Sequence, residues 1–182
     1  MKIIYYTDSL GSGGAERQLV YTALEAERRG NKVLIVIDHP VFHYKYMLED
    51  SNIKVICTNT NRFNSIKRFL KLKQIVKQFK PDVFHSFLSM KNLWGMFISY
   101  LEKVPIRIAS IRNSNLGSFK HINLYSKWAS KIVFNSELAR NIAIKRYRVP
   151  ELKTITIYNG INMKSFEVDK ELIKQFKRKY DL

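Results

Sequence analysis

The chain has 182 residues, 46% of them hydrophobic, and its 32 basic residues outweigh 15 acidic ones for a net charge of +17. That length suits one domain with a real core, and the composition is too apolar for a disordered chain. No run of about 18 apolar residues occurs, so no membrane-spanning helix is expected. Asp8 interrupts the N-terminal apolar stretch, so no secretory leader is expected either.

Apolar strands and helical patterns alternate along the chain. The first strand is expected over 2–7, and it runs into the glycine turn Gly11-Ser12-Gly13-Gly14. A helix follows over about 15–29 and stops at Gly30. A strand, a glycine turn and a helix N-terminus form an anion cradle, because the glycines admit close approach and the first-turn N–H groups point outward. The turn lacks the Gly-Lys-Ser/Thr ending of a nucleotide-triphosphatase loop, and Glu16 stands where a dinucleotide fingerprint needs its third glycine. The second strand, 32–37, ends on Asp38, which is placed to meet a ribose hydroxyl.

His43 to Asp50 reads as a short helix and 53–57 as a third strand carrying the lone cysteine, Cys57. That thiol permits no internal disulfide and has no metal-ligand spacing around it, which makes the cytoplasm the default compartment. A helix over 64–79 ends before Pro81, and Asp82 to Ser86 forms a fourth strand. Further helices are expected over 90–102, 120–129 and 169–180, with strands at 106–111, 131–134 and 154–158. Ser136 is expected to cap a helix reaching about Arg146, with Glu137 favourable in its first turn. The expected fold is therefore α/β: a doubly wound, mostly parallel sheet of about seven strands with helices on both faces. Ligands of such sheets sit outside the carboxyl ends of the strands. That rule selects Thr7 to Gly14, Asp38 to Pro40, Thr58 to Asn61, His85 to Ser89, Arg112 to Asn115, Asn135 to Glu137 and Asn159 to Asn162.

Several of these segments, taken together, resemble a known family. They are Gly13-Gly14-Ala15-Glu16-Arg17, Pro81-Asp82-Val83-Phe84-His85-Ser86, Ile111-Arg112-Asn113, Asn135-Ser136-Glu137-Leu138-Ala139, and Tyr158-Asn159-Gly160-Ile161-Asn162 followed by Phe166. The chain resembles the N-terminal, acceptor-side domain of family 4 retaining glycosyltransferases, which have the two-domain GT-B fold. The resemblance implies a Rossmann-like domain over 1–165 and the start of the interdomain linker over 166–182. The donor-binding domain that would follow is absent, so the chain alone is expected to be inactive. The substrates implied are a nucleotide-sugar donor and a glycan or lipid-linked acceptor of envelope polysaccharide or glycolipid synthesis, with no cofactor and no metal.

The resemblance places Gly13, Gly14, Glu16 and Arg17 at the donor phosphates and acceptor. It places His85 on the cleft and Arg112 where many members carry a histidine, as the catalytic candidates. Arginine does not serve as a base near neutral pH, but it holds phosphate or carboxylate bidentately. Ser86 and Asn113 are the acceptor-binding candidates. Retention by front-face attack needs no protein nucleophile, so a missing histidine does not exclude activity.

The helix over 64–79 interleaves Lys67, Arg68, Lys71, Lys73 and Lys77 with apolar residues. Ile66, Phe69, Leu70 and Val76 have helical spacing and are expected to pack inward, leaving a basic face outside. Each such cation near an anionic bilayer adds about 1 kcal/mol. The resemblance implies peripheral attachment to the inner membrane face through this helix, with Tyr44, Tyr46, Phe63 and Phe119 as interfacial aromatics. Two other readings stay open at this stage. One is a nucleic-acid binder drawn by charge, which no recognisable nucleic-acid motif supports. The other is a dinucleotide-dependent oxidoreductase.

Overall fold

The computed structural model describes residues 1–59, 65–113, 116–160 and 170–180. Its strands are β1 (Lys2–Thr7), β2 (Lys32–Ile37), β3 (Lys54–Cys57), β4 (Val83–Phe87), β5 (Ile106–Ile111), β6 (Lys131–Phe134) and β7 (Thr154–Thr156). Its helices are α1 (Gly14–Arg28), α2 (Ser65–Phe79), α3 (Ser89–Leu101), α4 (Ile122–Trp128), α5 (Glu137–Tyr147) and α6 (Lys170–Tyr180). The strands form one sheet in the order β3-β2-β1-β4-β5-β6-β7, parallel throughout. This is the Rossmann-like arrangement expected from the sequence.

Strands β1, β2 and β4 are buried almost end to end because helices cover both of their faces. On one face α2, α3, α4 and α5 pack through Leu72, Val76, Met96, Ile122, Tyr125, Ala139 and Ala143. On the other, α1 packs through Leu19, Val20 and Ala23, beside the 3-10 turn His43–Leu48. Gly95 brings α3 close to the sheet, where a Cβ would fall 2.8 Å from the Phe84 ring and 3.0 Å from Ser86 Cβ. Exposed lysines open β1, β2, β3 and β6, namely Lys2, Lys32, Lys54 and Lys131, so the N-terminal edge of the sheet is cationic.

Helix ends follow their local chemistry. Helix α1 closes in a Schellman turn: Gly30 has φ +80°, its N–H donates to Glu27 O at 2.7 Å, and Asn31 N–H donates to Ala26 O at 3.2 Å. Ser136 Oγ caps α5 by accepting from Ala139 N at 3.2 Å.

Several boundaries differ from expectation. β4 begins at Val83, because the Asp82 carboxylate turns back to accept Lys2 N–H at 2.7 Å. β3 starts at Lys54, and the regular pairing of β7 stops at Thr156. The inward stripe of α2 also differs. Arg68, Leu72 and Val76 are buried, with Phe69, Ile75 and Phe79 beside them, while Ile66 is 77% and Leu70 58% exposed. Ile66 and Leu70 therefore belong to the solvent face. Phe63, Asn64, Ile161, Asn162 and Phe166 lie outside the described residues.

Candidate functional site

β1 and β4 are neighbours, yet α1 after β1 and α3 after β4 lie on opposite faces of the sheet. Such a switch point opens a crevice at the carboxyl ends of the strands. On one side of it runs the glycine loop. Tyr44 OH holds the loop by donating to Ser12 O at 3.0 Å, and Leu10 N–H donates to Val41 O at 2.9 Å. Gly13 is the N-cap of α1, with φ −72°, ψ 156° and no side-chain cap. A Cβ on Gly13 would overlap the Glu16 carboxylate, which folds back over the start of the helix. A phosphate arriving at that helix end meets Glu16 first. Gly14 faces open space and Arg17 is exposed.

On the other side stands Arg112, just past β5. Its guanidinium lies 5.2 Å from the centre of the Phe87 ring and donates through Nη1 to Asn159 Oδ1 at 3.1 Å. Its carbonyl accepts from Asn135 Nδ2 at 3.1 Å. Nε is buried and has no partner among the described residues. Burial pushes the guanidinium pKa down. Arg112 and Asn113 line a cavity of about 290 Å³ together with Leu88, Ser89, Gly117 and Ser118. Leu88, which joins β4 to α3, has φ 75° and ψ 148°, a strained conformation for a residue with a Cβ.

The crevice floor is a buried ion cluster. Asp38 is fully buried and pairs with Lys91 Nζ and with Arg68 Nε at 3.1 Å. It also accepts from Tyr6 OH at 2.8 Å and from Thr58 Oγ1 at 2.8 Å. Lys91 reaches Asp8 as well, at 2.8 Å. Asp38 is therefore not free to meet a ribose, which removes the residue that supported a dinucleotide site.

His85 is not at the strand end, because β4 continues to Phe87. It is 8% exposed and its Nε2 lies 2.7 Å from Ser110 Oγ. Burial, aided by the Arg112 charge, lowers its pKa to about 3, so it stays neutral. Its ring lies 4.5 Å from that of Phe87, tilted by 32°, and Phe87 is also the ring that Arg112 covers. At that depth His85 contacts Ser110, Tyr5 and Phe87 rather than the open crevice. Ser86 is fully buried on the opposite face, where its Oγ donates to Asn92 Oδ1 at 2.7 Å beneath α3, so it cannot contact an acceptor.

Among the α2 cations, Arg68 does not belong to the basic outer face, since Asp38 draws it inward. Lys71 Nζ donates to Thr58 O at 2.6 Å, and Lys73 lies 3.7 Å from Glu102. Lys67 and Lys77 remain on the exposed face. Tyr44 and Phe119 are buried and are not interfacial, whereas Tyr46 is 60% exposed.

Two further residues emerge only from the structure. One is Lys91, a cation in the first turn of an apolar helix, where the dipole disfavours it; that mismatch is the available sequence signal of a buried carboxylate partner. The other is Gln18. Its Nε2 donates to Gly160 O at 2.6 Å and its Oε1 accepts from Gly160 N–H at 3.0 Å, so α1 clasps the backbone beyond β7. Among the described residues no helix is long and apolar enough to cross a membrane, and no group of three metal-ligating side chains forms.

Comparison with known proteins agrees with this architecture. The N,N'-diacetylbacillosaminyl-diphospho-undecaprenol alpha-1,3-N-acetylgalactosaminyltransferase of Campylobacter jejuni is 26% identical over 161 residues, covering 76% of this chain and 41% of that one. A second Campylobacter jejuni enzyme, an alpha-1,4-N-acetyl-D-galactosaminyltransferase acting on a GalNAc-containing diNAcBac-PP-undecaprenol, is 33% identical over 121 residues, covering 62% of this chain and 33% of its own. The chain thus spans less than half the length of these relatives. Among solved structures, a glycosyltransferase from Rickettsia africae superposes with a TM-score of 0.78 at 22% identity, over 99% of this chain and 49% of its own. Anabaena HepE, solved with UDP and glucose, superposes with a TM-score of 0.76 at 21% identity, over 99% of this chain and 50% of its own. The model of Glycosyltransferase Family 4 matches residues 12–165, and with the parallel sheet and the glycine-loop crevice this places the chain in that family.

Proposed function

We propose that this chain is the acceptor-side domain of a retaining glycosyltransferase that moves a sugar from a nucleotide-sugar to a saccharide carried on a lipid diphosphate. The observation that carries the reading is the crevice itself, where the uncapped start of α1 and the Arg112 guanidinium with its unpartnered Nε provide two anion-seeking groups. Both Campylobacter relatives bear names that specify saccharides on undecaprenyl diphosphate as acceptors. Residues 1–165 bind the acceptor and 166–182 begin the linker to a donor-binding domain. That second domain supplies most of the nucleotide-sugar contacts, so the chain alone does not turn over. Arg112 compensates phosphate charge, as the departing diphosphate requires in a front-face reaction. The Gly13 and Gly14 backbone, once Glu16 swings aside, serves the same charge. Asn113 is the hydroxyl contact beside it.

The domain works at the inner membrane face, docked peripherally through the outer face of α2. Ile66 and Leu70 insert between headgroups while Lys67 and Lys77 meet their charge, each cation adding about 1 kcal/mol. The test is binding of a lipid-diphosphate-linked saccharide in phosphatidylglycerol vesicles to the purified chain, with a UDP-sugar present. Acceptor binding without transfer, weakened about tenfold or more by Arg112→Ala, is the expected result. Turnover by the isolated chain, or acceptor binding indifferent to Arg112→Ala, refutes the assignment. Ile66→Ser/Leu70→Ser is expected to release the chain from vesicles while sparing its fold.

A further inference from the structure

A cavity of about 740 Å³ lies between the C-terminal ends of α4 and α5, beside the starts of β6 and β7. Its lining includes Lys127, Arg146, Arg148 and Lys153, with Tyr147, and no carboxylate. We propose that this cavity is a second anion-binding site, distinct from the crevice, which takes a phosphate-bearing ligand with at least two negative charges.

Three observations converge on it. First, its cations are not matched internally. Lys153 Nζ donates to Ser126 O at 2.8 Å and Lys127 O at 3.3 Å, both at the end of α4. The neighbouring Arg107 donates to Trp128 O at 2.6 Å and Val104 O at 2.5 Å. Main-chain carbonyls thus hold both cations, and burial together with the Arg107 charge pushes the Lys153 pKa down. Among the described residues Lys127, Arg146 and Arg148 have no carboxylate partner either, and the nearby Glu151 is engaged by Arg140 at 2.9 Å.

Second, Arg148 sits in the left-handed region, with φ 52° and ψ 35°, at the end of α5. That backbone costs a residue with a Cβ about 1 kcal/mol, and α1 places a glycine at the equivalent turn. The helix dipole accounts for a cation in the last turn, but Lys145 and Arg146 already satisfy it. A cation also takes this conformation at the ends of α2 and α3, Lys80 and Lys103, and Arg148 is the one of the three that lines a cavity without a carboxylate. Third, the cavity has a rigid wall, since the Tyr147 ring stacks on the buried Phe119 at 5.2 Å and 8°.

The chemistry selects the ligand class. Two guanidinium forks bind the paired oxygens of a phosphate, and two ammonium groups add point charge without directional demand. Soluble diphosphates and the headgroups of anionic lipids share that chemistry. The test therefore has two arms, each run on the wild type, on Lys127→Gln/Arg146→Gln/Arg148→Gln and on Arg148→Gly. In the first arm inorganic pyrophosphate is titrated while backbone amide shifts of Lys127 and Arg148 are followed by NMR. In the second the chain is sedimented with phosphatidylglycerol vesicles, alongside Ile66→Ser/Leu70→Ser to report the α2 face separately.

Amide shifts that vanish in the triple variant identify a soluble phosphate ligand. Vesicle binding lost in the triple variant, without a pyrophosphate response, identifies headgroups. Arg148→Gly is expected to melt higher than wild type yet bind about tenfold more weakly, a combination that a merely structural arginine does not produce. Unmoved amides together with unchanged vesicle binding in the variants overturn the proposal.

Discussion

Replacing Asp38 by Asn tests whether the crevice floor is held by charge. The side chain keeps its shape but loses the negative charge that Lys91 and Arg68 both face. Arg68 then loses its ion pair with Asp38, while Lys91 keeps only the half-exposed Asp8. Removing one partner from a buried ion pair costs about 3–5 kcal/mol, because the remaining charge stays desolvated. For a chain of this size each kcal/mol moves the thermal midpoint by about 2–4 °C, so Asp38→Asn is expected to lower it by about 6–20 °C. Calorimetry on the purified variant reads the shift. Asp8→Asn supplies the comparison, since its carboxylate is 41% exposed and its loss is expected to cost about 1 kcal/mol or less. Adding Arg68→Met to Asp38→Asn is expected to recover part of the loss by removing a buried cation that has lost its Asp38 partner. A loss below about 1 kcal/mol for Asp38→Asn, or equal losses at positions 38 and 8, would refute the argument.

Three other outcomes are expected. Gly95→Ala forces a Cβ against the Phe84 ring and Ser86, and overpacking of this kind costs about 1–3 kcal/mol, readable in a urea titration. His85 has a folded-state pKa of about 3, below its unfolded value of about 6.5, so its contribution to stability is full above that value and lost as pH falls. The loss runs at about 1.4 kcal/mol per pH unit below about 6.5, and His85→Gln is expected to flatten this part of the pH–stability curve. Gln18→Ala removes both bonds to Gly160, and hydrogen exchange at the Gly160 amide is expected to rise while the amides of β1 and β2 stay protected.

The sheet was legible because its strands are short apolar runs punctuated by Gly30, Pro81, Pro105 and Ser136, and each of those residues acts locally. The crevice was legible to the same degree, since a parallel sheet exposes its loops at one edge. What escaped is tertiary. Helical spacing alone does not tell which stripe of α2 turns inward. Buried Asp38, just past the end of β2, draws Arg68 inside, and that rotation leaves Ile66 and Leu70 in solvent. β4 runs one residue farther than expected, to Phe87, and alternation sends the His85 and Ser86 side chains to opposite faces, both buried. Gln18 carries no signal at all in one sequence, because its partner is a backbone group 142 residues away.

The ion cluster on the crevice floor has a consequence for how the two edges of the sheet respond to salt. Asp8 and Asp38 against Lys91 and Arg68 sum to zero formal charge within a chain of net charge +17. Mobile ions screen fields that pass through solvent and do little to charges already sealed from it. Raising ionic strength therefore erases the attraction exerted by the lysines that open the strands at the opposite edge, while the buried pairs of Asp38 hold the crevice floor in shape. Ionic strength thus separates long-range capture at one edge of the domain from short-range recognition at the other.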